Sequence, residues 1–336
     1  MIVNNAGGGY CKTLGGWCKD DAVRYDSSSG GVFSILANAI LEQEGIVYGS
    51  ALNDRLQAVH IGIERKEELW KLRGSKYIQS EIGDAYKEIR EILDSGRKVM
   101  FVGTPCQVAG LDSFLLGKTY DNLYKVDFIC HGVPSPKIFE AYIENLENKY
   151  NSNIISFRFR NKDNGWNASI QLGTEIKFAN GLKIRKYPAY KDSFMNGFSD
   201  DLYLRPSCYN CVFKGMQKKY TDFTIADFWG VNKVAKHLYD GNGTSLVLVH
   251  NERADLLWNQ VKEDFYFEFI HLENAICRNP SLISSAKENP NRKRFFEDFE
   301  RKGYSYVERK YLSAHIWFIH KVIMVVKKQC QKILKN

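Results

Sequence analysis

The apolar run "KVMFV" at 98–102 ends in Gly-Thr-Pro-Cys, and "CQVAGLDSFLL" follows with helical spacing. A buried strand that stops and restarts through proline as a helix needs a sharp turn, because proline is tolerated in the first helical turn and not deeper. "LYKVDFIC" (123–130) is the next apolar strand. Cys106 and Cys130 stand 24 positions apart, the length of one tight strand–helix–strand unit. That unit makes its two strands parallel and lays a helix on the sheet. If the strands are neighbours, ~4.8 Å apart, both thiols lie at the carboxyl rim of one sheet, where open α/β sheets bind ligands. A cysteine at a helix N-terminus also suits a thiolate. Cys106 is therefore a nucleophile, a metal ligand or a small residue at a turn.

The alternation extends to both sides. "GGVFSILANAILEQE" (30–44) has apolar residues at helical spacing with Gly45 as a stop. "IVYGSAL" (46–52) and "AVHIGIE" (58–64) read as strands, and "IGDAYKEIREILDSG" (82–96) as an amphipathic helix. From 151 the pattern turns to period two with Asn-Gly turns, the mark of antiparallel strands. Buried strands return at "FTIADFWG" and "SLVLVH", and helices are expected over 252–263 and 285–302. The expected class is α/β (an α+β mixture): a partly parallel sheet with helices and an inserted, mostly antiparallel segment. The expected organisation is a Gly-rich lead over 1–21, a main domain over 22–270 (parts 22–100 and 101–270), and a helical extension over 271–336 with a basic, apolar tail.

"RPSCYNCVFKG" adds Cys208 and Cys211, a C-x-x-C pair whose spacing lets two thiolates reach one metal centre from a single turn. With the two rim cysteines they make four thiols, the complement of a 4Fe–4S cluster or a four-cysteine zinc site, and spacing does not choose between them. Cys11, Cys18, Cys277 and Cys330 have no paired motif and read as ordinary thiols.

Two loops have the character of phosphate cradles. "SSSGG" (27–31) opens a helix with three hydroxyls where a cap needs one, and "LRGSKYIQS" (72–80) adds Arg73 and Lys76. Neither G-x-G-x-x-G after a strand nor a P-loop is present. The net charge of +8 comes without a long basic block outside the C-terminus, so nothing points to nucleic acid. The N-terminal stretch does not read as a secretory leader, and no run of ~18 apolar residues occurs. A cytoplasmic protein is expected, with its eight cysteines outside disulfides. "SAHIWFIHKVIMVVKKQCQKILKN" is apolar and basic together; a helix there lies at the inner face of a membrane or docks on the body or on a partner.

"SSSGGVFS", "LRGSKYIQS", "GTPCQVAGL", "CHGVPSP", "LRPSCYNCVFKG", "IADFWG" and "GTSLVLV", in this order, resemble the coenzyme F420 hydrogenase/dehydrogenase beta-subunit family over about residues 22–250. The resemblance implies an FAD-dependent iron–sulfur oxidoreductase that couples a two-electron hydride partner to one-electron carriers. It implies cluster ligation by Cys106, Cys130, Cys208 and Cys211. It implies a flavin site lined by Ser28, Ser29, Gly30, Gly31, Arg73, Gly74, Ser75, Lys76, Tyr77, Gln79 and Ser80, with Thr104, Asp227, Gly230, Thr244 and Ser245 as further members. Lys76 is the candidate cation for the flavin phosphates or the reduced ring. The implied partners are ferredoxin or another electron-transfer protein and an F420-like or other small hydride carrier. Many family members carry an N-terminal ferredoxin-like segment with C-x-x-C-x-x-C-x-x-x-C-P runs, which is lacking here. Relatives in bacteria without F420 are tied to cell-surface polysaccharide synthesis. The competing readings are a non-catalytic adaptor that binds a metal through four cysteines in a polysaccharide assembly system, and a thiol enzyme using Cys106 with His131.

Overall fold

The computed structural model describes residues 12–167, 171–215 and 221–313. The chain divides into two units, one of Met1–Gly132 with Asn210–Ala286 and one of Val133–Tyr209 with Lys287–Asn336. The strands are β1 (Lys12–Cys18), β2 (Ile46–Leu52), β3 (Ala58–Ile63), β4 (Val99–Gly103), β5 (Leu123–Phe128), β6 (Ile154–Asn161), β7 (Gly173–Phe178), β8 (Lys183–Lys186), β9 (Phe223–Asp227), β10 (Ser245–Val249) and β11 (Phe265–Phe269).

The first unit holds an eight-stranded sheet in the order β11-β1-β10-β9-β5-β4-β2-β3. Strands β2, β4, β5 and β9 run parallel, with β4 and β5 direct neighbours as their spacing requires. Val99, Met100 and Phe101 of β4 are all fully buried because helices cover both faces. Met100 joins the helix Val32–Leu41 and Trp258 of the helix Glu252–Val261 on one side. Val99 and Phe101 join Ile89 of the helix Ala85–Asp94 and Val108 of the helix Pro105–Phe114 on the other. The helix Pro105–Phe114 starts where it does because Thr104 and Gln107 form a capping box and Pro105 occupies the first turn.

Two strands escape the sequence reading. β1 lies within the Gly-rich lead and pairs antiparallel with both β10 and β11. Its glycines are steric: a Cβ on Gly16 would stand 2.0 Å from the Tyr266 carbonyl oxygen, and one on Gly15 2.8 Å from the Phe228 ring. β11, "FYFEF", closes that edge.

The second unit holds the antiparallel sheet β6-β7-β8, turned at Asn180-Gly181 with Gly181 at φ +85°. Phe157 and Phe159 of β6 pack on Phe139 of the helix Pro136–Tyr150 at 5.3 Å between ring centroids. Its C-terminal helix spans Arg292–Lys302 rather than beginning at 285. Pro290 accounts for the delay, since it disfavours helical backbone at the residue before it. The apolar, basic stretch at 314–336, Cys11 and Cys330 lie outside the described residues.

Candidate functional site

Cys106 follows β4 and Cys130 follows β5, so both come off the carboxyl ends of adjacent parallel strands. β9 ends on the same rim at Asp227. β10 is antiparallel to β9 with Ser245 opposite Asp227, which brings Thr244 and Ser245 to that rim as well. β1 in turn sets Gly16 opposite Ser245.

The "SSSGG" turn is fastened to this rim. Ser29 Oγ donates to the Thr244 carbonyl at 2.8 Å, and the Gly30 N–H donates to Ser245 Oγ at 2.9 Å. A Cβ on Gly30 would meet Gly16 O at 2.5 Å and Ser245 N at 2.7 Å, so only glycine permits the approach. Gly31 takes φ +92° at the start of the helix Val32–Leu41. The "RGSKYIQS" loop docks on the same turn: the Ser75 N–H and Oγ both donate to Ser28 Oγ, at 2.7 and 2.9 Å. Arg73 Nε donates to Ser34 Oγ at 2.9 Å. Lys76 points its ammonium at the carbonyls of Lys71, Leu72 and Arg73, 2.8–3.2 Å away, capping the short helix Lys66–Lys71. Desolvation lowers its pKa to about 7. Tyr77 and Gln79 are half-buried in the same loop.

The far end of that loop reaches the turn of Cys106. Ser80 is bonded through Oγ to His60 Nδ1 at 2.8 Å, and its carbonyl accepts from Gln107 Nε2 at 3.2 Å. The other His60 nitrogen, Nε2, donates to the Val102 carbonyl at 3.1 Å, which fixes the tautomer and makes Ser80 the donor to Nδ1. Burial lowers the His60 pKa to about 4, so the ring is neutral. Thr104 Oγ1 stands 3.1 Å from Cys106 Sγ. Cys106 is exposed, whereas Cys130, Cys208 and Cys211 are partly buried, and none of the described cysteines is in a disulfide.

Cys106, Cys130 and Cys211 belong to the first unit and Cys208 to the second. Lys214, three positions after Cys211, donates to the carbonyls of Cys130 and Ser281, and the Cys211 N–H donates to Ser285 Oγ. Among the described residues no three His, Cys, Asp or Glu side chains gather closely enough to hold a metal ion. A single zinc ion would need its thiolates around one point, whereas the cysteines of a cubane cluster are ligands to separate irons. Gly230 has φ +81°, and a Cβ there would run into Arg278 at 2.2 Å, a packing reason for that glycine.

Two observations test the fit of a polar, phosphate-bearing cofactor. Ser50 Oγ is buried without a hydrogen-bond partner among the described residues, and its residue stands opposite His60 across β2 and β3. Gly74, at φ +81° in the loop, has nothing within 4 Å of an added Cβ, so the turn is open beside Arg73 and Ser75. Hydroxyls, backbone N–H groups and a guanidinium beside an open turn suit such a group.

Residues 96–275 match the C-terminal model of the coenzyme F420 hydrogenase/dehydrogenase beta subunit, and residues 13–87 match its N-terminal model. The chain belongs to this family of oxidoreductase subunits. A chain of the F420-reducing [NiFe] hydrogenase complex from Methanosarcina barkeri shares the fold, with a TM-score of 0.52 and 16% identity. That match covers 84% of this chain and 97% of the other. None of the curated proteins matches the chain. The N-terminal match begins inside β1, which ties that strand to the family fold and not to a lead peptide.

Some members of the site carry no motif. His60 sits in an ordinary alternating strand, and its only sequence signal is a titratable residue at an inward position. Arg24 is buried in the helix Asp21–Asp26 and grips Asp240 with two bonds of 2.6 and 2.7 Å while donating to the Gly243 carbonyl. It anchors the "DGNGT" turn that presents Thr244, across a separation of 216 positions.

Proposed function

We propose that this chain is an FAD-dependent iron–sulfur oxidoreductase that couples a small-molecule hydride partner to a one-electron carrier. The observation that carries the reading is the convergence of the Ser28–Gly31 turn, the 73–80 loop and Thr244–Ser245 on the rim that also bears Cys106. Ser28 and Arg73 would hold the cofactor's phosphates, in a turn fixed by Ser29 and Ser75. Lys76 supplies positive charge to the loop carbonyls and, on proton release, a neutral amine. Cys106, Cys130, Cys208 and Cys211 are the proposed cluster ligands. FAD exchanges two electrons as hydride and one at a time with iron–sulfur centres, which is the chemistry it would supply here.

On this reading the partners are ferredoxin or another electron-transfer protein and an F420-like or other hydride carrier, and the physiological setting is cell-surface polysaccharide synthesis. The place of action is the cytoplasm, with 314–336 at the inner face of the membrane. No helix among the described residues is long and apolar enough to cross a membrane.

Anaerobic purification tests the reading. The expected product is yellow-brown, carries iron, and releases flavin on denaturation. Colourless protein that contains zinc, and binds no FAD on reconstitution, would overturn it in favour of the adaptor.

A further inference from the structure

The eight-stranded sheet ends differently on its two sides. Strand β3 is covered by Glu81, whose N–H donates to the Ala58 carbonyl and whose carbonyl accepts from the His60 N–H. Strand β11 has no such cover among the described residues. Its bonds to β1 decide which backbone groups face outward. The Lys19 N–H donates to the Asp264 carbonyl and the Ile270 N–H to the Thr13 carbonyl, in one unbroken register. Bonded and non-bonded pairs alternate along antiparallel strands, so Tyr266 and Glu268 also bond β1, while Phe265, Phe267 and Phe269 turn their groups away. The Phe265 N–H is taken by the Lys262 carbonyl. Among the described residues nothing pairs the Phe267 and Phe269 N–H groups or the three phenylalanine carbonyls. Sheet edges are commonly blunted by lysine, proline or a bulge, and "FYFEF" has none of these. Phe269 is 55% exposed and Tyr266 42%. Their neighbours are fixed in place: Trp258 meets Phe265 and Phe267 edge-on at 5.5 and 5.3 Å, and Trp17 lies 4.8 Å from Tyr266.

We propose that β11 pairs antiparallel with β11 of a second copy of this chain, about a twofold axis through Phe267. The strand is its own complement in that register. Phe267 faces the partner's Phe267 and the two exchange both of their outward bonds. Phe269 faces the partner's Phe265, and its N–H donates to the carbonyl that Phe265 leaves unpaired. Between these bonded pairs Tyr266 faces the partner's Glu268, at the position where side chains of antiparallel strands come closest. A phenol donor meets a carboxylate acceptor there twice, once on each side of the axis. The Tyr266 hydroxyl already donates to Glu268 Oε1 of its own strand at 3.2 Å, so the two groups are of matched reach. No like charges are set opposite each other, and the exposed rings of Tyr266 and Phe269 leave water. The sheet then runs unbroken from one protomer into the other. The pairing involves none of the residues assigned to flavin or cluster and goes beyond the redox reading.

Sedimentation velocity of the full chain, purified anaerobically with whatever cofactors it holds, tests the pairing. The parent is expected to be a dimer that dissociates on dilution. Tyr266→Glu sets a new carboxylate against the partner's Glu268 on both sides of the axis and is expected to weaken the dimer about tenfold or more. Glu268→Lys, mixed in equal amount with Tyr266→Glu, sets an ammonium against that carboxylate, and the mixture is expected to regain the dimer. Pull-down of the untagged Glu268→Lys chain by a tagged Tyr266→Glu chain reads the mixed species directly, which no change within one strand can produce. Phe269→Pro is a second variant that keeps every bond to β1, since the N–H it removes points outward, and it too is expected to weaken the dimer. A parent that stays monomeric at every concentration overturns the proposal. So does a dimer that both Tyr266→Glu and Phe269→Pro leave at parent strength, because it uses another surface. A mixture no tighter than Tyr266→Glu alone overturns the register.

Discussion

At the scale of single residues, two buried bases carry opposite lessons. His60 is neutral in the fold, with a pKa lowered to about 4 by burial from its ordinary 6.5. The unfolded chain takes up a proton between those values and the folded chain does not, so stability is lost as pH falls through that window. The expected loss is on the order of 2 kcal/mol by pH 5 relative to pH 7. His60→Gln should flatten that part of the curve in urea titrations, and an unchanged pH slope would remove His60 as its source. Lys76 was expected to serve a flavin, and its ammonium is committed to three loop carbonyls instead of open space. Lys76→Ala is therefore expected to cost about 1–3 kcal/mol and to weaken FAD retention, with iron content intact. Parent-like stability would remove the capping role, and parent-like FAD binding and reduction would remove Lys76 from the cofactor site.

At the scale of elements, the rim depends on how the short turns are tied down. Arg24 is 4% exposed in its side chain, and Asp240 is 40% exposed. Burial is the largest single influence on the Asp240 carboxyl and raises its pKa, but the hydrogen bonds from Arg24 and Asn242 and the Arg24 charge together outweigh it, so the net shift is downward. Breaking a buried pair costs about 3–5 kcal/mol, but the exposed carboxylate can rehydrate, so Arg24→Ala is expected to cost about 2–3 kcal/mol. Hydrogen exchange should show lost protection at residues 240–245 while β4 and β5 keep theirs. Loss spread evenly over the whole sheet would mean that Arg24 supports the fold and not this turn.

At the scale of the whole molecule, the chain leaves the eight-stranded sheet after β5, builds a separate antiparallel sheet, and returns through the C-x-x-C segment to β9. Cys208 and Cys211 fall on the two sides of the division between units. Serine is a harder and less acidic ligand than cysteine, so Cys106→Ser, Cys130→Ser, Cys208→Ser and Cys211→Ser are each expected to lose or destabilise the bound iron. Cys277→Ser should keep it, since Cys277 is an exposed thiol in a separate turn. Iron contents that are the same in all five variants would refute the ligand set.

The parallel centre of the sheet is legible in the amino-acid order alone. An apolar run, a Thr-Pro-Cys start and a second apolar run at strand–helix–strand spacing admit few other folds, and the Asn-Gly turns mark the second sheet as plainly. That order also marks the serine and glycine turns, whose surplus hydroxyls exceed what capping needs. Only the tertiary structure made β1 a strand, because Gly15 and Gly16 are poor strand formers until Phe228, Phe265 and Tyr266 close on them. It alone paired Arg24 with Asp240 and set His60 and Gln107 on either side of Ser80. Local periodicity records which face of an element is buried. It does not record which polar atom meets which across a sheet rim, because those partners are distant in the chain and join only when the strands take their order.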